Sequence, residues 1–337
     1  MGKHHVTMAD VAEFARVSTM SVSRVINGQS GVSEKLRQRV VNAIEELGYI
    51  PNEPVISRAR TRNIALVLPG WTTTYMGEVL RGVSHAAGRL NYGLMLYPQA
   101  TSNPPERINY YLHLVTDNLV DGVVMVVPYD YEVIVRDLKA HNLPYVIIDH
   151  HGDTDGELSV TATNRKGILD AMRHLMALGH RRIGFITGLM AVTCSQERLQ
   201  GYHDGLAEVG FPYNPELVCQ GDFTQPAGFQ QARKLLELPQ PPTAIIASND
   251  VMAFGTMDAA KAAGLTIGTD ISIVGFDDIH MASQVYPPLT TVRQPLDSMG
   301  ETALEMLVTL LQGRTVLNTR RELPTELIIR ESTGRVL

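Results

Sequence analysis

From residue 63 onward, short apolar runs alternate with longer stretches of helical periodicity. The runs predicted as strands are Ile64–Leu68, Gly122–Val127, Tyr145–Ile148, Arg182–Thr187, Ala244–Ala247 and Ile271–Phe276. Each run is nearly continuous in apolar residues, which is typical of strands buried on both faces of a parallel sheet. Helices are predicted between most of them, at Val79–Leu90, Gly167–Leu178, Gln196–Glu208, Pro226–Leu238 and Val251–Ala263. This alternation predicts a doubly wound α/β body.

The length of this body predicts two lobes. It spans residues 63–337, and its strand pattern restarts near residue 164. We therefore expect two similar parallel-sheet halves with a cleft between them. Ligands of open α/β sheets bind beyond the carboxyl ends of the strands, so the cleft is the expected ligand site.

The first 50 residues predict three short helices instead. Apolar residues follow helical spacing in Met8–Ala15 and again in Ser18–Asn27, and the pair Val17-Ser18 makes the turn between them. A third helix is predicted over Ser33–Leu47. The first two form a helix-turn-helix, whose second helix can lie in the major groove of DNA.

Charge is distributed unevenly between these two parts. The formal net charge of the whole chain is −6, but residues 1–62 have a net charge of +3 and the remaining residues have a net charge of −9. A basic head on an acidic body fits a protein in which only the head meets phosphate. An imbalance of this size also arises by chance, so charge alone does not establish a nucleic-acid partner.

Composition indicates the cellular compartment. Cys194 and Cys219 are the only cysteines, so no disulfide framework is expected. No apolar run reaches the roughly 18 residues that a membrane span needs, and the first residues lack a secretory apolar stretch. We therefore expect a cytoplasmic protein with no membrane partner.

Several short phrases stand at fixed spacing in the first 52 residues. They are Thr7, Asp10-Val11-Ala12, Val17-Ser18, Ser21-Val22-Ser23-Arg24-Val25, Asn27 and Tyr49-Ile50-Pro51-Asn52. This set resembles the head of the LacI-type (lactose-repressor/galactose-repressor) family of transcriptional regulators, and so many matches at one spacing are specific. The resemblance implies double-stranded operator DNA, generally palindromic, as a partner and a homodimer as the working form.

The resemblance also implies roles for residues of the head. Thr19, Met20 and Arg24 would read bases, and Met20 would favour a thymine methyl group because it offers mainly an apolar surface. The residues that would contact the DNA backbone are Thr7, Ser18, Ser21, Ser23, Asn27, Ser33, Tyr49 and Asn52.

The hinge departs from the family pattern. The family usually has Pro-Asn-x-x-Ala-Arg-x-Leu, and the leucine inserts into the minor groove. Here Pro54 interrupts the run, and Arg58 stands at the leucine position, unless a deletion gives that role to Ile56. Arg58 is expected to contact a narrow minor groove electrostatically. Whether this hinge kinks DNA stays open.

The body, over residues 63–334, resembles periplasmic sugar-binding proteins and the core of LacI-type regulators. The phrases that carry the likeness are His174-Leu175, Leu178-Gly179-His180-Arg181-Arg182-Ile183, Arg198-Leu199-Gln200-Gly201-Tyr202, Gly221-Asp222-Phe223, Ala247-Ser248-Asn249-Asp250, Val274-Gly275-Phe276-Asp277-Asp278 and Pro288-Leu289-Thr290-Thr291-Val292. A polyhydroxylated ligand needs carboxylates, amides, an arginine and an aromatic face. The predicted effector residues are Trp71, Tyr75, Asp149, Arg198, Phe223, Asn249 and Asp277, and all but Trp71 fall on effector positions of the family.

Each of these residues also has a purely structural interpretation. Arg198 could form a surface ion pair, and Phe223 could fill the core. Asp250 and Asp278, which lie beside predicted effector residues, could cap helices. The segment His180-Arg181-Arg182 is interpreted as a solvated start of a strand.

The predicted fold class is an N-terminal all-α helix-turn-helix head plus an α/β body of two doubly wound parallel-sheet lobes, similar to periplasmic binding proteins. The predicted domains are a DNA-binding domain (1–50), a hinge or linker (51–62) and an effector-binding and dimerisation domain (63–337). Lobe one is expected at about 63–163 and 293–322, and lobe two at about 164–292 and 323–337.

The predicted function is a DNA-binding regulator, a repressor of a carbohydrate-related operon, controlled by a small-molecule effector such as a sugar. A non-sugar effector and constitutive DNA binding stay open as alternatives. A secreted sugar-binding protein would lack the head. An enzyme is not expected, because Cys194 and His203 come with no third residue to orient a catalytic pair. The adjacent histidines at 4–5 and 150–151 lack metal-site spacing, so neither a metal nor a cofactor is expected.

Overall fold

The computed structural model of the protein describes residues 8–26, 34–47, 61–68, 74–98, 118–127, 131–150 and 157–336. The chain divides into two units, Met1–Thr61 and Arg62–Leu337. In its described part, the first unit has helices α1 (Met8–Phe14), α2 (Thr19–Ile26) and α3 (Glu34–Leu47).

A small apolar core holds the first unit together. Its buried side chains are Val11, Ala12, Ala15, Val22, Val25, Val40 and Ala43. Their spacing of three or four residues places them on one face of each helix. Ser18 caps α2, since its Oγ accepts a hydrogen bond from the backbone N–H of Ser21 at 3.1 Å.

The second unit contains two six-stranded sheets in its described part. Its strands are β1 (Asn63–Leu68), β2 (Gly93–Pro98), β3 (Gly122–Val126), β4 (Tyr145–Ile148), β5 (Ser159–Ala162), β6 (Ile183–Thr187), β7 (Val218–Gln220), β8 (Ala244–Ala247), β9 (Ser272–Asp277), β10 (Thr290–Arg293), β11 (Arg320–Leu323) and β12 (Glu326–Ile328). The first sheet has the order β11-β5-β4-β3-β1-β2, and the second has the order β12-β10-β9-β8-β6-β7. All neighbouring strands are parallel except β10 and β12.

Helices cover both sheets. They are α4 (Thr74–Leu90), α5 (Tyr131–Ala140), α6 (Asn164–Ala177), α7 (Thr193–Glu208), α8 (Gln225–Leu236), α9 (Asp250–Ala262) and α10 (Leu296–Leu311), with short 3₁₀ turns at Pro215–Leu217 and His280–Ser283. Apolar clusters lie on both faces of each sheet, as continuous apolar strands require. The predicted α/β body of two parallel-sheet lobes is confirmed.

Three crossovers join the two lobes. They follow β5, β10 and β11, so the first sheet includes a strand from near residue 320 and the second includes the next strand, β12. The first and third crossovers are bonded to each other. The hydroxyl groups of Thr163 and Thr325 lie 2.8 Å apart, and the N–H of Thr325 donates to Oγ1 of Thr163 at 2.9 Å.

The C-terminal segment completes the second lobe. Oγ of Ser332 donates to the carbonyl oxygen of Ile273 at 2.6 Å. His180 is 3% exposed, and its Nε2 lies 3.1 Å from the carbonyl oxygen of Gly334. The interpretation of His180 as part of a solvated strand start is therefore wrong, because the C-terminal segment covers it.

No helix of the described part is both long and apolar enough to cross a bilayer.

Helices α4 and α10 approach each other closely through glycines. A Cβ atom at Gly82 would overlap the backbone of Asp297, and a Cβ atom at Gly300 would overlap the carbonyl oxygen of Val79. Arg81 reinforces the contact, since its Nε donates to Oδ1 of Asp297 at 2.9 Å. The first lobe thus depends on two backbones meeting without side chains between them.

We predict opposite effects for two alanine substitutions in α4. Gly82→Ala should lower the free energy of unfolding by about 2 kcal/mol or more, because it separates two packed helices. Gly88→Ala should raise it by about 0.5 to 1 kcal/mol, since nothing lies within 4 Å of its Cβ position and alanine is the better helix former. Urea unfolding measures both, and equal effects would contradict this account.

Candidate functional site

One cavity of about 410 Å³, a volume that includes its open mouth, lies beside the carboxyl ends of both sheets. Its lining residues are Tyr75, Met76, Val127, Asp149, Cys194, Arg198, Phe223, Asn249 and Asp277. Asp149 follows β4, Phe223 follows β7, and Asp277 ends β9. The cavity therefore occupies the position where parallel α/β sheets bind ligands.

The first lobe contributes a hydrogen-bonded phenol and carboxylate. The hydroxyl of Tyr75, in the first turn of α4, donates to Oδ2 of Asp149. Burial raises the pKa of Tyr75 well above its ordinary value, and the charge of Asp149 raises it further. Tyr75 therefore stays protonated and acts as a donor.

Arg198 is the buried cation of the second lobe. It is 2% exposed. Its Nε donates to Oδ1 of Asn164 at 2.8 Å, its Nη1 donates to the carbonyl oxygen of Ser248, and its guanidinium lies 3.8 Å from the ring centroid of Phe276. These contacts fix the plane of the guanidinium. The interpretation of Arg198 as a surface ion pair is therefore wrong.

Burial alone would lower the pKa of Arg198, but nearby acidic groups outweigh it. Cys194, whose thiol ionises only at high pH, raises the pKa of the guanidinium most, and the carboxyl groups of Asp277 and Asp149 raise it further. Arg198 therefore remains charged inside the protein.

Asp277 carries a carboxylate with an altered acidity. It is 4% exposed, and Nε2 of Gln294 donates to its Oδ1 at 2.7 Å. Burial raises the pKa of Asp277 to about 7, although Arg198 and the bond from Gln294 act in the opposite direction. Its charge thus changes within the physiological pH range.

Asn249 joins the second sheet to the aromatic side of the cavity. Its Oδ1 caps α9 by accepting from the N–H of Met252 at 2.9 Å, and its Nδ2 donates to the carbonyl oxygen of Phe223 at 3.1 Å. Phe223 adopts a positive φ of 69° and packs partly against core clusters of both lobes. A Cβ atom at residue 188 would overlap the ring of Phe223, so the ring fits here because residue 188 is a glycine.

The neighbouring acids, Asp250 and Asp278, lie outside the lining. Asp250 accepts hydrogen bonds from Oγ1 of Thr291 at 2.5 Å and from the N–H of Ile279 at 2.9 Å. Asp278 accepts from Arg293 and Arg330, both at 2.7 Å. Both acids hold the segments around β9 and β10 in place.

The structure brings together six of the seven predicted effector residues. Trp71 lies outside the described residues. Sequence reasoning missed Met76, Val127 and Cys194 as lining residues. Val127 directly follows β3, so its place after a strand was a usable signal, and Cys194 precedes Arg198 by one helical turn. Asn164 and Gln294 carried no such signal, because their roles depend on crossovers distant in sequence.

Within the described part of the chain, the structure shows neither a candidate metal cluster nor an activated thiol. Among the described residues, no cluster of three His, Cys, Asp or Glu side chains could hold a metal ion. Burial raises the pKa of Cys194 to about 12, so its thiol is protonated at neutral pH.

Helix α2 presents the predicted base readers. Thr19 and Arg24 are exposed, and Met20 is 66% exposed although it is apolar. Val22 and Val25 take the opposite face and enter the small core. Ser18 and Ser21 bond to each other through their hydroxyl oxygens at 2.9 Å. The side chain of Ser23 and the residues Thr7, Asn27, Ser33, Tyr49, Asn52 and Arg58 lie outside the described residues.

Comparisons with known proteins agree over both units. The family model described as "Bacterial regulatory proteins, lacI family" matches residues 7–52, and the one described as "Periplasmic binding protein-like domain" matches residues 172–333. The HTH-type transcriptional repressor CytR of Escherichia coli (strain K12) is 35% identical over 334 residues, covering 97% of this chain and 96% of that protein. The chain belongs to the lacI family of bacterial regulatory proteins.

Solved structures of lacI-family regulators agree with this assignment. A complex of the transcriptional regulator CelR with cellobiose has a TM-score of 0.75 at 31% identity and covers 97% of this chain and 99% of that one. The lac repressor dimer bound to operator and the anti-inducer ONPF has a TM-score of 0.73 at 31% identity. The match covers 98% of this chain and 100% of that one. The predicted family, DNA-binding transcriptional function and non-enzymatic class are thus confirmed.

We predict that Asp277→Asn changes the pH dependence of stability. Because the pKa of Asp277 is raised in the folded protein, its contribution is largest at acid pH and is lost as pH rises from about 4 through about 7. The variant has no carboxyl group at this position, so it does not lose this stability as the pH rises. From pH 5 to pH 8, the unfolding free energy should therefore shift in favour of the variant by about 2 to 4 kcal/mol relative to the original protein.

Urea unfolding at several pH values measures this difference. Burial and the charge of Asp277 both raise the pKa of Asp250, so Asp277→Asn also lowers the pKa of Asp250 and shifts the unfolding free energy in the same direction. Curves that stay parallel from pH 5 to pH 8 would show that the carboxyl group of Asp277 keeps an ordinary pKa.

Proposed function

We propose that this regulator represses a carbohydrate-related operon as a cytoplasmic homodimer, and that a small sugar-like effector in the cavity sets its affinity for a palindromic operator. One observation carries the effector assignment: six predicted effector side chains line one cavity. They supply carboxylates, an amide, a guanidinium and aromatic faces, which together suit a polyhydroxylated ligand. In this proposal residues 1–50 bind DNA, residues 51–62 form the hinge, and residues 63–337 bind the effector and dimerise.

The proposed control rests on a cavity shared by two lobes. Tyr75 and Asp149 belong to first-lobe elements, whereas Arg198, Asn249 and Asp277 belong to second-lobe elements. A ligand that contacts both sets stabilises the arrangement in which the lobes are close. The effector and the operator then change each other's affinity by the same factor.

Two solved structures support the sugar and the dimer parts of the proposal. The CelR structure is described as a cellobiose complex, and the lac repressor structure is described as a dimer on operator. These descriptions concern those proteins, and we extend them to this chain because the similarity spans nearly its whole length.

A non-sugar effector is the second candidate. The ring of Phe223 at the cavity could stack on a flat heterocycle, so a nucleoside would also satisfy the polar groups. Constitutive DNA binding is less favoured, because it gives no role to the buried polar groups around the cavity.

We predict that Arg24→Ala weakens specific DNA binding by about 1 to 3 kcal/mol. Arg24 is exposed on α2, where a recognition helix reads bases. The measurement is filter binding to an operator selected from random palindromic DNA. The control is Arg314→Ala, which removes an exposed arginine from the body. Equal losses in the two variants would contradict base reading by Arg24.

We predict that an effector raises the Tm of the protein and changes its operator affinity. A compound at a hundred times its Kd stabilises the folded state by about 2.7 kcal/mol, which corresponds to roughly 5 to 10 °C for a domain of this size. The compounds are cellobiose, glucose, ribose and uridine. A uridine response without a sugar response would replace the sugar effector by a nucleoside, and no response to any compound would remove the effector part of the proposal.

A further inference from the structure

The charge inside the cavity restricts its ligand further, and this inference rests on the proposed effector site. We propose that the site takes a ligand without negative charge, whose hydroxyl or amino groups donate to Asp149 and Asp277, and that it rejects the phosphorylated or acidic form of the same compound.

The lining carries more negative than positive charge. Arg198 is the cation among the nine lining residues, whereas Asp149 and Asp277 are both acids. Cys194 and Tyr75 stay neutral, since the pKa of each is raised by burial. An anionic ligand would therefore enter a site whose net charge is already negative once Asp277 is ionised.

Arg198, the one cation among the described lining residues, is already engaged by the protein. Two of the three guanidinium nitrogens of Arg198 donate to Asn164 and to the carbonyl oxygen of Ser248, and its flat face lies on Phe276. A phosphate or carboxylate is usually held by two parallel N–H groups of one arginine. Here Nε donates to Asn164, so the fork formed by Nε and Nη2 has lost one of its two donors, and Nη1 has given one of its two N–H groups to Ser248.

At two of the helix starts beside the cavity, backbone amides are already bonded within the described part of the protein. At the start of α9, Asn249 caps the N–H of Met252, and the buried carboxylate of Asp250 occupies the first turn. At the start of α7, the N–H groups of Ser195 and Gln196 both donate to the carbonyl oxygen of Val192. These amides are therefore not available as the donors that phosphate requires.

The acceptors of the cavity define what the ligand must offer. Asp149 accepts a hydrogen bond from the Tyr75 hydroxyl, and Asp277 accepts one from Nε2 of Gln294 at 2.7 Å. Each carboxylate can accept further hydrogen bonds, because an ionised carboxyl group has about four lone-pair sites. Sugar hydroxyls, nucleoside hydroxyls and amino groups provide such donors, whereas phosphate oxygens and carboxylates at neutral pH provide none.

The test uses matched pairs of compounds that differ in charge. The pairs are ribose with ribose 5-phosphate, glucose with glucose 6-phosphate, glucose with gluconate, and uridine with uridine 5′-monophosphate. Isothermal titration at pH 8 measures the Kd of each for the full-length protein. We expect at least one uncharged compound to bind, and to bind at least ten-fold more tightly than its anionic partner.

Two variants separate the charge of the cavity from the charge of the protein. Asp277→Asn should reduce the ratio of the two Kd values several-fold, because it removes a negative charge from the lining. Asp258→Asn removes the same charge from an exposed position on α9 and should leave the ratio unchanged. If Asp277→Asn does not fold, Asp149→Asn provides the same comparison from the first lobe.

The outcomes distinguish this inference from the proposed function. An anionic compound that binds as tightly as its uncharged partner, or more tightly, overturns the inference and leaves the effector site in place. A ratio that falls equally in Asp277→Asn and Asp258→Asn also overturns it, because the discrimination would then come from the overall charge. Absence of binding by every pair overturns the proposed sugar or nucleoside effector and this inference with it.

Discussion

The buried guanidinium of Arg198 is the interaction on which the arrangement of the body depends. A charged group inside a protein is costly unless hydrogen bonds and opposite charges surround it. Arg198 meets this requirement with Asn164 from the first crossover, Ser248 from the end of β8 and the ring of Phe276 in β9. This one side chain therefore contacts the first crossover and the second sheet and lines the cavity. The acids of the cavity supply its compensating charge.

The crossovers connect the cavity to the rest of the body. Gln294 stands in the second crossover and donates to Asp277, and the chain then continues directly into α10. Helix α10 is fixed to α4 through the glycine contacts, and α4 carries Tyr75 at its start. Asp277 and Tyr75 are thus joined by a hydrogen bond, a short stretch of chain and two closely packed helices. This contiguous route connects the two walls of the cavity through packed and hydrogen-bonded groups.

Sequence reasoning predicted what depends on local pattern. The six strands it found are continuous apolar runs, whereas it missed strands with polar residues such as β5 and β11, which owe their place to neighbouring strands. Six effector residues followed from a family resemblance and from their position near strand ends. Asn164 and Gln294 could not be found in this way, because they meet partners 34 and 17 residues away through tertiary packing that no local pattern shows. The burial of His180 likewise depends on a segment 154 residues later.

The interleaving of the chain between the lobes has a consequence for synthesis. Strand β11 belongs to the first sheet and β12 to the second, although only two residues separate them. Neither sheet can therefore be completed by an emerging chain until residues beyond 320 have left the ribosome. Until then β5 and β10 each lack one neighbouring strand, and unpaired strands are prone to association with other chains. The final strand pairing of both sheets is thus delayed to the end of translation, whereas in two consecutive domains the first sheet would be complete before the second was made.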